Sequence, residues 1–375
     1  MTIETTNLDN AAGDTPPAKT KRTRAANLTL IRQVWPWAFL TALIIGFSIA
    51  SKAINNVDFI SWRSVMSILL YTTQILLIAL GETIIIIAAG IDLSVGWNLG
   101  FSSVMAALVM QTLHAAHASI FLTLTCGILT GMIISIIPGI LNGILITKVK
   151  VPPFIATLGM GFLVEGVALI VSNGYPIAKQ PPYLGPLGNN SILYVWPDHG
   201  VSFFNMPAEA TTKDMPNIIS ILPGVVLVTI IITIIIWFIL SKTQFGQHIY
   251  AIGGNYEASV RAGIPVKTTL VKAYGLAALL SGIAGVLWTA RFTSGAYNAG
   301  ETTTMTSIAA VVIGGASMFG GEGSIIGTII GSLCIATIQF GLVLLGVAPF
   351  WQFVAVGTVV IMAVIVDQFG RTFGR

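Results

Sequence analysis

VMSILLYTTQILLIALGETIIIIAA, running from Val65 to Ala89, decides the fold, because it holds one charged side chain, Glu82, in 25 residues. A surface element of a water-soluble domain would interrupt its apolar face with charges, whereas about 20 mostly apolar residues are what a helix needs to cross the hydrocarbon core of a bilayer. Working outward from it, nine further apolar runs follow the same rule. They extend from Trp35 to Ala50, Val95 to Leu113, Ser119 to Thr147, Pro153 to Ser172, Ile218 to Leu240, Leu270 to Ala290, Thr303 to Phe319, Ser324 to Leu345 and Phe350 to Asp367. The expected fold is therefore all-α, a polytopic membrane protein of about ten transmembrane helices in a domain covering 35–368. The runs of Val65 and Ser119 are long enough to be tilted, kinked or broken, and Gly81 puts the weak point of the first beside Glu82.

Composition carries the same message at the scale of the chain. Of 375 residues 55% are apolar and 9% charged, where a soluble domain carries about 25% charged. A mean hydropathy of +0.88 leaves most of the surface facing lipid. The net charge of +4 is spread too thinly for a phosphate-binding face, which excludes nucleic acid as a partner. Cys126 and Cys334, 208 residues apart in apolar runs, read as small buried hydrophobes rather than a disulfide or a metal site.

Basic residues orient the stack, since Lys and Arg are retained on the cytoplasmic side. With the N-terminus inside, Lys19, Lys21, Arg22, Arg24, Arg32, Lys148, Lys150, Lys242, Arg261, Lys267, Lys272, Arg371 and Arg375 fall on the cytoplasmic face. That leaves Lys52, Arg63, Lys179, Lys213 and Arg291 outside, five against thirteen, so both termini are expected in the cytoplasm. Residues 1–34, polar and basic with Pro16 and Pro17, read as a disordered cytoplasmic tail, and 369–375 as a second, short one. The run after Trp35 reads as an uncleaved first span.

Two loops stand out. The outside segment 173–217 is rich in proline, with Tyr175, Tyr183, Tyr194 and Trp196 interspersed. It reads either as a docking surface or lid, or as a loop laid on the headgroups with aromatic anchors. Within the inside segment 241–269, Asn255 suits the cap of a helix starting at Tyr256, Glu257 and Arg261 stand at i,i+4, Gly263 suits the residue past the last turn, and Pro265 forbids continuation. Two turns are unstable alone in water, so this helix needs a surface, either the membrane interface or a soluble partner.

Ionisable and amide groups inside the membrane are candidates for a translocation path: Glu82, Asp92, Asn98 and Glu165. Each has an alternative reading. Asp92 with Ser94 suits a cap on the third span, and Glu165, like Gln74, Asn98, Asn142 and Gln339, serves equally as interhelical glue. Gly127 with Gly131, Gly139 with Gly143, and the register Gly323, Gly327, Gly331 give G-x-x-x-G spacing, which argues close helix packing. There is no P-loop motif, no H-E-x-x-H and no Ser/His/Asp set, so no catalytic residue, metal site or resident cofactor is expected.

GETIIIIAAGIDLSVG from Gly81 to Gly96, VPPFIATLGMGF from Val151 to Phe162 and IAAVVIGGASMFGGEGSIIGTIIG from Ile308 to Gly331 together resemble the signature segments of bacterial ABC-importer permeases for monosaccharides such as ribose, xylose, arabinose and galactose. The resemblance runs from about Ser61 to Asp367. It implies a type II ABC importer permease fold in the inner membrane, a second permease chain (identical or not), an ABC ATPase subunit that binds ATP and Mg, and a periplasmic sugar-binding protein. GNYEASVRAGI from Gly254 to Ile264 resembles the family's coupling segment, which implies that Tyr256, Glu257, Ala258, Arg261, Ala262 and Gly263 dock on the ATPase. Two departures are visible: Thr302, Thr303, Thr304, Met305, Thr306 and Ser307 stand where the family often has an acidic Glu-Leu-Asp-Ala run, and the loop Ser191 to Asn217 is long. The competing readings are an ABC permease for a non-sugar ligand such as a nucleoside, and a proton- or sodium-coupled secondary transporter using Glu82 or Asp92.

Overall fold

In the computed structural model the described residues are 18–372, apart from 198, 208, 212, 213, 215 and 216; side chains of 18–33, 349, 360 and 363–372 are not described. Each of the ten apolar runs contains a helix: α1 (Ala18–Asn55), α2 (Trp62–Ile87), α3 (Val95–Ala115), α4 (Ile120–Ile144), α5 (Pro153–Ser172), α7 (Gly224–Lys242), α10 (Val266–Phe292), α11 (Thr303–Ile313), α12 (Ile325–Leu344) and α13 (Pro349–Thr372). Among the described residues seven of these are long and apolar enough to cross a membrane, namely α1 from Val34, α2, α4 with its extension to Val149, α5, α7, α10 and α12. Three short helices complete the set: α6 (Leu184–Asn189), α8 (Gln244–Gly254) and α9 (Tyr256–Arg261).

The interior is built around α2 and α10. α10 packs most extensively on α4, then on α3 and α2, while α2 also carries α11 and α12 on its other side. Leu80, Ile84, Ala273 and Ala277 meet where α2 crosses α10. α5 leans on α3, α1 on α12, and α13 on α11 and α12. The outward faces are apolar, as with Phe121, Ile133 and Ile137 on α4 and Ile231 and Phe238 on α7, and the small and hydroxylated residues point inward. That inversion is what a bilayer selects, because lipid gives helices no hydrophobic reason to associate and close packing must do it instead.

Several expectations need correction. The fold is mostly helical rather than all-α, because the outside loop folds into a three-stranded antiparallel sheet, β1 (Ser191–Trp196), β2 (Gly200–Phe203) and β3 (Ile219–Pro223), in the order β2-β1-β3. β-branched and aromatic residues recur along SILYVW, and Tyr194, Trp196 and Ile218 bury against one another. The sixth run loses its first turn to β3, so α7 starts at Gly224. Residues 1–17 lie outside the described residues, but from Ala18 the supposed tail is helical and continuous with α1, since it contains Ala, Lys, Arg and Leu and neither Gly nor Pro before Pro36. α2 is unbroken at Gly81, where the missing side chain lets the Cα of Ala277 approach; a Cβ there would lie 2.9 Å from it. The irregularity falls on the fourth run, where Pro138 sits inside α4 and a π turn spans Leu145–Val149. α11 stops at Ile313, short of Phe319, at the pair Gly314 and Gly315.

Candidate functional site

Beyond α2 the chain turns through Gly90 to Val95, and this turn organises a buried polar cluster. Asp92 Oδ1 accepts from the Ser94 amide at 2.9 Å and from the Ser94 hydroxyl at 2.5 Å. Thus Asp92 shapes the entry to α3, while Ser94 forms no side-chain cap of its own. Asn142 of α4 donates to Ser94 Oγ at 3.0 Å, and Tyr274 of α10 donates to the carbonyl of Ile91 at 3.5 Å. One turn further on, Asn98 donates to the carbonyls of Ser135 (3.1 Å) and Ala278 (3.3 Å), tying α3 to α4 and α10. Ser102 reaches the Gly131 and Gly282 carbonyls, and Ser281 that of Val95.

Glu82, Asp92 and Asn98 are all closed off, at 0%, 0% and 1% exposure. Glu82 lies beside Asp92. The Asp92 backbone amide is directed at the Glu82 carboxylate without forming a well-aligned hydrogen bond, and Asp92 Oδ2, Asn98 Oδ1 and Asn142 Oδ1 also lack a hydrogen-bond partner among the described residues. A buried acceptor left without a donor costs about 1–3 kcal/mol, so these oxygens are the interior groups best placed to accept a hydroxyl donor. Glu165 is not part of it; it sits half-buried on α5 without a hydrogen bond or ion pair among the described residues.

The glycine registers place backbone against backbone. A Cβ on Gly327 or Gly331 would collide with the carbonyls of Gly314 or Ala310, which brings α12 onto α11, whereas Gly323 precedes α12 and faces Ile87. On α4, Gly131 faces Val286 and Ser102, and Gly143 faces the Cα of Val271.

At one end of the bundle α9 stands almost unpacked. Asn255 Oδ1 accepts from the Ala258 amide at 2.9 Å, and Glu257 meets Arg261 at 3.7 Å with both side chains about four-fifths exposed. Tyr256 and Val260 are half exposed, and Ala258, Ala262 and Gly263 are also on the surface; Ser259 is buried. Gly263 has φ +76°, the left-handed conformation that ends the helix.

α8, which the reading of the loop missed, fastens α9 to the membrane bundle. Its Phe245, Ile249 and Ile252 at helical spacing were the available signal, and Ile249 and Ile252 are buried. Tyr250 donates to the Gly323 carbonyl at 2.8 Å. Gly253 abuts the Ile87 carbonyl at the end of α2, and that carbonyl accepts from the Gly321 amide at 2.8 Å. α8 thus connects α9 with the end of α2, five residues from Glu82, and with the α11–α12 loop.

Comparison with known proteins adds an independent line. The family model described as branched-chain amino acid transport system / permease component matches residues 64–366. The chain is 36% identical to a ribose import permease protein of Bacillus subtilis, over 90% of this chain and 94% of that protein. It is 34% identical to a fructose import permease protein of Rhizobium meliloti (79% and 75% covered). It is 31% identical to a galactose/methyl galactoside import permease protein of Escherichia coli (83% and 88% covered). No solved structure matches the chain.

Proposed function

The chain belongs to the monosaccharide permeases of ABC importers, within the family of branched-chain amino acid transport system permease components, and from that membership we propose that it forms the membrane path for a monosaccharide imported at the expense of ATP hydrolysed on a partner subunit. The observation that carries the reading is similarity to sugar import permeases over 79–90% of the chain combined with α9, a capped, exposed helix. In this reading ATP and Mg belong to the ATPase, a periplasmic sugar-binding protein delivers the solute, and a second permease chain completes the path. Ten crossings with both termini cytoplasmic fit the thirteen-to-five distribution of basic residues.

Closure of the ATPase dimer would then move α9 through Tyr256, Glu257, Ala258, Arg261, Ala262 and Gly263. α8 supports the next step, because its contacts at Ile87 and Gly321 transmit that motion to α2 and to the α11–α12 loop. Opening the buried cluster would give the orphaned oxygens of Glu82, Asp92, Asn98 and Asn142 to the hydroxyl groups of a neutral solute. Glu165, on α5 and apart from that cluster, would be a second contact on the path. The test is uptake of labelled ribose, fructose and galactose by cells holding the full importer. The double variant Glu257→Arg with Arg261→Glu retains an i,i+4 pair but presents reversed charges to the ATPase. Uptake should fall at least about tenfold while ATP hydrolysis continues, as loss of about 1.4 kcal/mol of docking energy requires. Normal uptake in that variant would defeat the assignment of α9.

A further inference from the structure

Between α2, α7 and α12 lies a half-open cleft of about 240 Å³, lined by Leu69, Thr73, Leu76, Thr229, Ile234 and Leu333 among others. α7 is held at its two ends: the Gly224 amide donates to the Asn190 carbonyl at 2.9 Å at one, and α8 packs on it at the other. Along its middle it barely touches α12, and that gap is the cleft. The threonines do not make the lining polar. Thr72, Thr73, Thr229 and Thr233 each turn the hydroxyl onto a carbonyl of their own helix, at 2.7 to 2.8 Å, and present their methyl groups.

Next to Thr73, though not itself part of the lining, stands a cation. Arg291 Nη1 donates to the carbonyl of Leu70 at 3.0 Å, and the same oxygen accepts from Thr73, a cleft residue, at 2.7 Å. The guanidinium is half-buried beside Tyr71, and among the described residues no carboxylate lies within ion-pair distance of it. From Leu69 to Leu76 the cleft descends about 10 Å along α2, most of the depth of one leaflet. Water finds almost no polar partner in such a lining, and the cleft is roomy enough for a stretch of acyl chain. The charge beside Thr73 complements a phosphodiester.

We propose that the cleft between α2, α7 and α12 is a phospholipid site, with one acyl chain against Thr73, Thr229 and Leu333 and the phosphate on Arg291. The site is independent of which solute is carried, and it fills the gap between α7 and α12.

The experiment transfers the full-length permease from nanodiscs of dioleoylphosphatidylglycerol and dioleoylphosphatidylcholine into detergent and counts retained lipid by native mass spectrometry. The expected result is one retained phosphatidylglycerol per chain, reduced about fivefold in Arg291→Gln, as expected for one basic contact, and restored in Arg291→Lys. Thr229→Phe, which fills the cleft and leaves Arg291 in place, should reduce it as far, while Ile133→Phe on the open face of α4 should not. Equal retention in wild type and both site variants overturns the proposal, as does equal retention of dioleoylglycerol, which lacks the phosphate. A change of oligomeric state in Thr229→Phe with lipid retention intact would instead assign the cleft to a second chain and overturns it too.

Discussion

Asn98 uses both amide hydrogens on carbonyls of two other helices, and this sets what its replacement should do. Asn98→Leu removes both bonds and leaves the Ser135 and Ala278 carbonyls short of a donor. A cost of about 1–2 kcal/mol is expected, measured as reduced resistance to unfolding in mixed micelles, because interhelical hydrogen bonds in membranes average near 0.6 kcal/mol and reach about 1.7. Gly331 makes the complementary case. A Cβ there meets the Ala310 carbonyl, so Gly331→Val should lower thermal stability in detergent by at least about 1–3 kcal/mol of overpacking. Gly46→Val, with nothing within 4 Å of the new Cβ, should leave stability unchanged. Equal behaviour of the two glycine variants would count against the α11–α12 contact.

Among the elements, α9 depends on its cap more than a longer helix would. Asn255→Ala removes the acceptor for the Ala258 amide and should cost about 1 kcal/mol locally, since a six-residue helix has no length over which to spread the loss. The expected outcome is faster hydrogen exchange at 256–261 with unchanged exchange in α10, together with lower uptake. The cap was legible in the sequence because it is a relation between neighbours. α8 was not read, although its apolar spacing is present, because only the carbonyl of Ile87 and the Gly321 amide show what it packs against. The sheet of the outside loop escaped for a similar reason: seven prolines between Asn173 and Asn217 argue against helix, yet they leave strand pairing open, and Leu193 finds Phe203 on one side and Ile221 on the other.

For the whole molecule the orientation of the stack is a single binary quantity, set by where basic residues are retained. Reporters fused after Lys150 and after Lys267 should both be cytoplasmic; either one on the far side would invert every helix beyond the miscounted hairpin. Under the proposed function that orientation would put α9 on the ATPase side and the β-sheet on the side of a binding protein, so the topology test also bears on both proposed partners.

What the sequence determined by itself was the solvent. Apolar runs such as Val65 to Ala89 are decided by residue chemistry, because a chain with ten of them and 9% charged residues has too little polar surface to cover them all in water. Helix ends with local signals, Asn255 and Gly263 among them, belong to the same class. Tertiary structure alone decided which polar residues meet. Ser94 and Asn142 are 48 positions apart, Asn98 and Ala278 are 180, and Arg291 reaches Leu70 across 221. Hydrogen bonds in a bilayer interior form with whatever acceptor the packing brings within 3.5 Å, and it was the placement of small residues against neighbouring backbones that chose those acceptors.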